Sequence, residues 1–232
     1  MTGLAPIRRI MLVGVGRHAE RIYVPLLAHL VQLGEVVLTE VVVLRSRRDE
    51  LVRIFAAQSV PVPALTLLDE AESLDGEAVI ERMLRVHRET PFDALLICCD
   101  PRHRAAYFEL ACRTGTAVFV DKPIFVLDDI AHDEGIAQAY AEKLFALEQS
   151  VRAAGIHFVV QAQRRAHEGY RFVNSLIDGC LEQFGVPVTS AHIQHADGMW
   201  VLPNEWGREH HPFKYGFGKL FHSGYHFVDL LA

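Results

Sequence analysis

The chain has 232 residues, half of them apolar and 22% charged, the balance of a soluble globular protein with room for a domain and part of a second. A net charge of −6 argues against nucleic acid and against an anionic membrane surface as partners. No run approaches the roughly 20 apolar residues of a membrane span, and the short apolar run at residues 10–15 lacks the small-residue cleavage pattern of a secretory signal.

In chain order, β-branched or apolar runs at residues 10–15, 36–44, 65–68, 94–99, 118–120 and 156–161 predict strands. Helical periodicity falls between them, over 19–33, 49–58, 77–89, 102–114 and 133–154. Strand and helix in this alternation require parallel strands joined by crossover helices, hence an α/β sheet covered on both faces. Gly34, Gly115 and Gly155 stand where the helices should stop. Pro61 and Pro63 crowd the start of the third strand. Cys98, Cys99, Cys112 and Cys180 lie in apolar segments without CxxC spacing, and read as reduced thiols of a cytoplasmic protein. After about residue 185 the character changes. Residues 186–194 read as a strand, a loop rich in Trp, His, Pro and Gly runs to residue 218, and a helix covers 220–231. A lone strand and helix cannot close a core. Residues 1–155 are therefore expected as one domain, and 156–232 as part of a second, α+β domain or as a segment packed on the first.

The segment Met11-Leu12-Val13-Gly14-Val15-Gly16-Arg17-His18-Ala19 passes from the first strand into the first helix. Gly14 would make the tight turn, Gly16 would let the backbone approach a pyrophosphate, and Ala19 would pack helix on strand. An anion would then rest on the helix N-terminus. The pattern is that of a Rossmann doubly wound sheet, and a ligand-free tight turn is the competing reading. The second strand should end at the residue that meets the adenosine ribose, an acid in most NAD enzymes. Here it runs into Arg45-Ser46-Arg47-Arg48, with no acid before Asp49. Guanidiniums able to pair with a 2′-phosphate replace the acceptor, so NADP is expected ahead of NAD, against a merely solvated basic helix start.

A further strand, helix, glycine and strand lead to Asp121-Lys122-Pro123. A lysine at the carboxyl end of a parallel strand projects into the ligand crevice. Three other segments accompany it: Tyr23-Val24-Pro25, Gln161-Ala162-Gln163-Arg164-Arg165, and Leu220-Phe221-His222-Ser223-Gly224-Tyr225-His226-Phe227-Val228-Asp229. In this order they resemble the glucose–fructose oxidoreductase, inositol dehydrogenase and MocA family, with its Glu-Lys-Pro turn and its Leu-x-Asp-x-Gly-x-His-x-x-Asp helix. The resemblance implies an NAD(P)-dependent oxidoreductase acting on a sugar, sugar derivative or cyclitol. Lys122 would bind or polarise the reacting oxygen, and His226 would be the general acid/base, with His222 beside it. The implied cofactor contacts are Gly14, Gly16, Arg17, His18, Arg45, Ser46, Arg47, Cys99, Asp121, Lys122 and Arg164. The implied partners are a small polar metabolite and a second copy in a homo-oligomer, with neither nucleic acid nor membrane.

The chain departs from that pattern in four places. His222 stands where the family has Asp, so the carboxylate that would orient His226 is absent. Asp121 replaces Glu. Cys99-Asp100-Pro101 replaces Thr-Pro-Asn, and Arg104 replaces a His, so that Asp100 must turn from the cofactor phosphates toward Arg102 or Arg104. The chain also stops just after the motif helix, where the family continues into a broad sheet. The lost Asp suits a second reading, a nucleotide-binding regulator or sensor; a truncated chain that only binds nucleotide is a third. His222 and His226, with His192, His195, His210 and His211 nearby, raise a zinc reading, but the resemblance needs no metal and none is expected.

Overall fold

The computed structural model describes residues 8–194, 202–208 and 211–231. Six strands form one sheet: β1 (Arg9–Val13), β2 (Val37–Leu44), β3 (Ala64–Leu68), β4 (Ala94–Ile97), β5 (Ala117–Val120) and β6 (Phe158–Val160). All pairs are parallel, as alternating strands and helices require. The order across the sheet is β3-β2-β1-β4-β5-β6. It reverses between β1 and β4, which makes this the doubly wound Rossmann arrangement, with its crevice at the carboxyl ends of those two strands.

Side-chain alternation along β1 sends Leu12 to one face and Met11 and Val13 to the other. Leu12 packs with Val41, Val43 and Leu96 against Val24 and Leu27 of α1 (Val24–Gln32) and Leu51, Ile54 and Phe55 of α2 (Arg48–Ala57). After the short α3 (Glu70–Leu74), α4 (Gly76–Glu89) buries Val79, Ile80 and Met83, and α5 (Ala105–Thr114) buries Tyr107, Phe108, Leu110 and Ala111. Each large apolar side chain so covered contributes about 1.5–3 kcal/mol. All four residues of β4 are buried, as a central parallel strand demands. The two prolines precede β3 at the sheet's edge, where a missing N–H costs no ladder bond. Gly34, Gly115 and Gly155 have φ of 71°, 69° and 64°, the left-handed conformation that ends helices.

The chain divides into two compact units, Met1–Phe125 with Ala141–Val160, and Val126–Tyr140 with Gln161–Ala232. The sheet lies wholly in the first, and the long α6 (Glu134–Ala154) spans the division. The second contains α7 (Glu168–Phe184), α8 (Pro203–Trp206) and α9 (Tyr225–Leu231). Within it, the amides of Asp129 and Ala131 donate to the carbonyls of Tyr215 and Gly216, both at 2.9 Å.

The structure departs from the sequence reading at one helix and one strand. Helix α7 was not expected, although Tyr170, Val173, Ile177, Leu181 and Phe184 repeat at helical spacing. None of its residues is buried, and Phe172 and Phe184 are 63% and 66% exposed. Residues 186–194, expected as a strand, form none, because an extended segment becomes a strand only by pairing and no described strand pairs with them. Both motif helices open with a wide π turn, at Ala19–Tyr23 before α1 and at Leu220–Gly224 before α9. No helix of the described residues is long and apolar enough to cross a membrane.

Candidate active site

At the end of β1 the chain turns sharply at Gly14, whose φ is 78° and whose N–H donates to the Val42 carbonyl at 2.8 Å. A Cβ at this position would lie 2.5 Å from the Cys99 Cα and 2.6 Å from the Cys99 nitrogen. The demand for glycine at 14 therefore comes from the crossing of two main-chain segments. Gly16 differs. No atom lies within 4 Å of its Cβ position, so the turn presents bare backbone to open space, as close approach to a pyrophosphate needs. The Gly16 carbonyl accepts from the Glu20 N–H at 2.9 Å, which starts the helix, and Ala19 is buried against the core. Arg17 is exposed, while the half-buried His18 sets its ring edge-on to Tyr23, with centroids 5.4 Å apart.

Beyond β2, the expected 2′-phosphate residues are already engaged with acids. Arg47 Nη1 donates to the Val15 carbonyl of the glycine turn at 2.6 Å, while its Nε and Nη2 grip Glu50 at 2.9 and 2.7 Å. Arg45 pairs with Asp69, at the end of β3, at 2.7 Å. Ser46 is exposed. Reading along the chain hid Asp69, because its proximity depends on β2 and β3 being neighbours. An exposed pair of this kind contributes no more than about 1 kcal/mol, so Arg45 can exchange its partner for a phosphate.

The loops after β4 and β5 converge. Tyr23 donates its hydroxyl to Asp121 Oδ1 at 3.2 Å, and the Lys122 N–H donates to the same oxygen at 2.9 Å. Burial, then the adjacent Asp121 carboxylate, push the Tyr23 phenol upward from its ordinary pKa, so it stays a donor. Arg104, 2% exposed, donates Nε and Nη2 to the Cys99 carbonyl at 2.9 and 2.7 Å, and Nη1 to the carbonyls of Asp121 and Pro123. The Lys122–Pro123 peptide is cis. Burial holds both neighbouring thiols neutral, Cys98 well above its ordinary value and Cys99 at about 11. Asp100 turns to Arg102, which donates its amide at 2.9 Å and its side chain at 3.0 and 2.8 Å. Burial opposes ionisation of that carboxyl, but the Arg102 bonds outweigh it and hold the pKa below the usual carboxylate range.

In the second unit, His226 is buried and its Nε2 lies 2.5 Å from the Tyr225 hydroxyl. Sequence reading overlooked Tyr225, since neighbours in a helix ordinarily diverge. His222 sits half-buried in the wide turn over Leu220–Gly224. That turn breaks the α-helical register on which the shared-face expectation for residues four apart depends. Arg165 pairs with Asp229 at 2.7 and 2.5 Å. Arg164 lies over the Phe227 ring, 4.9 Å from its centroid, beside a groove of about 440 Å³ lined also by Gln163, His167, Gly169, Tyr170 and Val173. A larger groove of about 710 Å³, between α3, α4 and α5, contains none of the expected site residues.

Gly14, Gly16, Arg45, Arg47, Cys99, Asp121 and Lys122 thus gather on loops at the carboxyl end of the sheet, in the first unit; His222, His226 and Arg164 belong to the second. Among the described residues, no three His, Cys, Asp or Glu side chains gather as metal ligands would. His195 and His210 lie outside the described residues.

No family model and no curated protein matches the chain. Solved structures do. The scyllo-inositol dehydrogenase of Lactobacillus casei, with bound NAD(H) and scyllo-inositol, matches with a TM-score of 0.51 at 18% identity, over 75% of this chain and 42% of its own. The WlbA (WbpB) dehydrogenase of Thermus thermophilus, in complex with NAD and UDP-GlcNAcA, matches with a TM-score of 0.60 at 18% identity, over 97% of this chain and 62% of its own. The likeness is one of fold. The chain spans between two-fifths and two-thirds of the length of these dehydrogenases.

Proposed function

We propose that this chain carries the nucleotide-binding part of an oxidoreductase of the glucose–fructose oxidoreductase, inositol dehydrogenase and MocA family. It would exchange a hydride between a nicotinamide cofactor and a hydroxyl or carbonyl carbon of a sugar, sugar derivative or cyclitol. The observation that carries this reading is the convergence of the bare Gly16 turn, the Cys99 loop and the Lys122 turn at the switch point of the sheet, where such folds bind dinucleotides. The dehydrogenases of like fold support it.

The cofactor, when bound, supplies the hydride chemistry. The residues of the chain supply binding and proton handling. The backbone of Gly14–Gly16 and the start of the first helix receive the pyrophosphate. Arg45, once it releases Asp69, meets a 2′-phosphate, and on that ground NADP is placed ahead of NAD. Asp121 stays bound to Tyr23 and to the Lys122 amide, which fixes the turn, and the Lys122 ammonium binds the reacting oxygen and stabilises charge developing there. His226 takes or returns the hydroxyl proton. In this chain the Tyr225 hydroxyl bonded to His226 Nε2 stands in for the missing carboxylate as its orienting group.

The test is a fluorescence titration of the purified chain with NADPH and with NADH, followed by a sugar and cyclitol screen on wild type and Lys122→Met. Micromolar binding with NADPH the tighter, and turnover lost by about 100-fold or more in the variant with cofactor affinity kept, are expected. Failure to bind either dinucleotide would sink the proposal.

A further inference from the structure

We propose that Arg104 is a positioning residue that holds the Lys122 turn in register with the cofactor loops, a role that rests on the reading of Lys122 above. A guanidinium does not deprotonate in a protein, so burying it to 2% exposure puts a permanent charge inside the crevice wall. Such a charge persists only where hydrogen bonds replace its water. Every acceptor of Arg104 named above is a main-chain carbonyl: Cys99 twice, Asp121 and Pro123. Those carbonyls come from two loops. Cys99 follows β4, while Asp121 and Pro123 flank Lys122 after β5.

The consequence is geometric. The main chain is held on each side of Lys122, so the point from which its side chain leaves the turn is set. The Asp121 carboxylate adds a second anchor through Tyr23, from the helix that follows the glycine turn. Cys99, the other end of the clamp, is also the residue against which Gly14 crosses. One side chain therefore joins the Cys99 loop, against which the glycine turn packs, to the lysine turn. The task requires a planar fork with several donors, and neither alternative cation supplies it. Lysine presents all its protons from one nitrogen, and histidine offers two donors at most.

The experiment reads the lysine itself. The chain has four lysines, Lys122, Lys143, Lys214 and Lys219, so acetylation by a water-soluble acetyl ester is easily resolved site by site by mass spectrometry. In wild type, NADP should protect Lys122 and leave the other three unchanged. Arg104→Met and Arg104→Lys should still bind NADP in the fluorescence titration yet lose that protection, and methylguanidinium should restore it in Arg104→Met. A general structural loss would not be mended by methylguanidinium, so the rescue separates a positioning role from a structural one. Should Arg104→Met fail to fold, Arg104→Lys, which keeps the charge without the fork, decides the matter. Full protection with wild-type affinity in Arg104→Lys overturns the proposal. So does unfolding of both variants, or complete loss of NADP binding at unchanged thermal stability. Wild-type chain that binds NADP with Lys122 unprotected refutes the reading of Lys122 instead, and that outcome is visible before any variant is made.

Discussion

Alanine at Gly14 and alanine at Gly16 should have opposite consequences, although both glycines belong to one turn. At Gly14 the φ of 78° places an L side chain in the left-handed region, at a cost of about 1–2 kcal/mol. The new Cβ would also meet Cys99 main-chain atoms at 2.5 and 2.6 Å, about 1 Å inside an ordinary carbon contact. Because the obstacle is backbone, no rotamer change relieves it. The β1 turn and the β4 loop must separate, and overpacking of that kind costs about 1–3 kcal/mol. Gly14→Ala should therefore lose about 2–5 kcal/mol, a large part of the roughly 5–15 kcal/mol of a typical domain. At Gly16 nothing lies within 4 Å and the φ is ordinary. Alanine there should leave stability unchanged or raise it by about 0.4–1 kcal/mol through the unfolded chain. It should nonetheless weaken NADPH binding about tenfold or more, because the methyl occupies the approach of the pyrophosphate. Urea denaturation followed by circular dichroism gives the first quantity and fluorescence titration the second. A Gly14→Ala chain within about 0.5 kcal/mol of wild type would refute the crossing argument, and unchanged NADPH affinity in Gly16→Ala would refute the placing of the phosphates.

Two further predictions concern pH. Asp93 accepts from the amides of Arg8 and Arg9 and from the Arg9 side chain, bonds that bring its pKa down to about 2. A depressed carboxyl stabilises the fold above its unfolded value near 3.9 and loses that contribution as pH falls through the folded value. Asp93→Asn should thus cost about 1 kcal/mol at neutral pH, after allowance for the solvent around the pair. Its thermal midpoint should meet that of wild type between about pH 4 and pH 2; a constant offset across this range would show that charge is not involved. Glu40 is the reverse case. It is buried on β2, and burial raises its pKa against the opposing effects of the Thr66 hydroxyl and Arg82. A raised carboxyl disfavours the fold once it ionises, so stability falls as pH rises through the folded value. Glu40→Gln keeps an acceptor for Thr66, now at 2.7 Å. Its thermal midpoint should exceed that of wild type at neutral pH, with the gain vanishing in acid. A lower midpoint at neutral pH would mean that attraction to Arg82 outweighs burial.

The alternation of apolar runs with helical periods carried the parallel sheet and the position of the glycine turn, because both follow from local pattern and from the handedness of crossovers. What stayed hidden depends on distant contacts. Arg45 looked free to meet a phosphate, yet Asp69 reaches it from the neighbouring strand. Arg104 looked like a replaced histidine, and its partners could not be read because they are main-chain carbonyls, which carry no residue identity. Helix α7 was overlooked for another reason. Its apolar stripe repeats at 3.6-residue spacing, yet the segment carried no expected element, while the valines after Gly185 read as a strand. Those valines then proved to have no described strand to pair with.

The bond from Arg47 to the Val15 carbonyl bears on any attempt to redesign cofactor choice. On the proposed reading, this side chain spans the place where a 2′-phosphate would sit and the turn that every dinucleotide must use. Removing it loosens the common cradle, so affinity for NAD would fall together with affinity for NADP and little selectivity would be gained. Arg45 has no such second duty, being tied to Asp69 at the surface. Discrimination between the two dinucleotides can therefore be rewritten at position 45 with the least disturbance to binding as a whole, while position 47 is a shared strut best left alone.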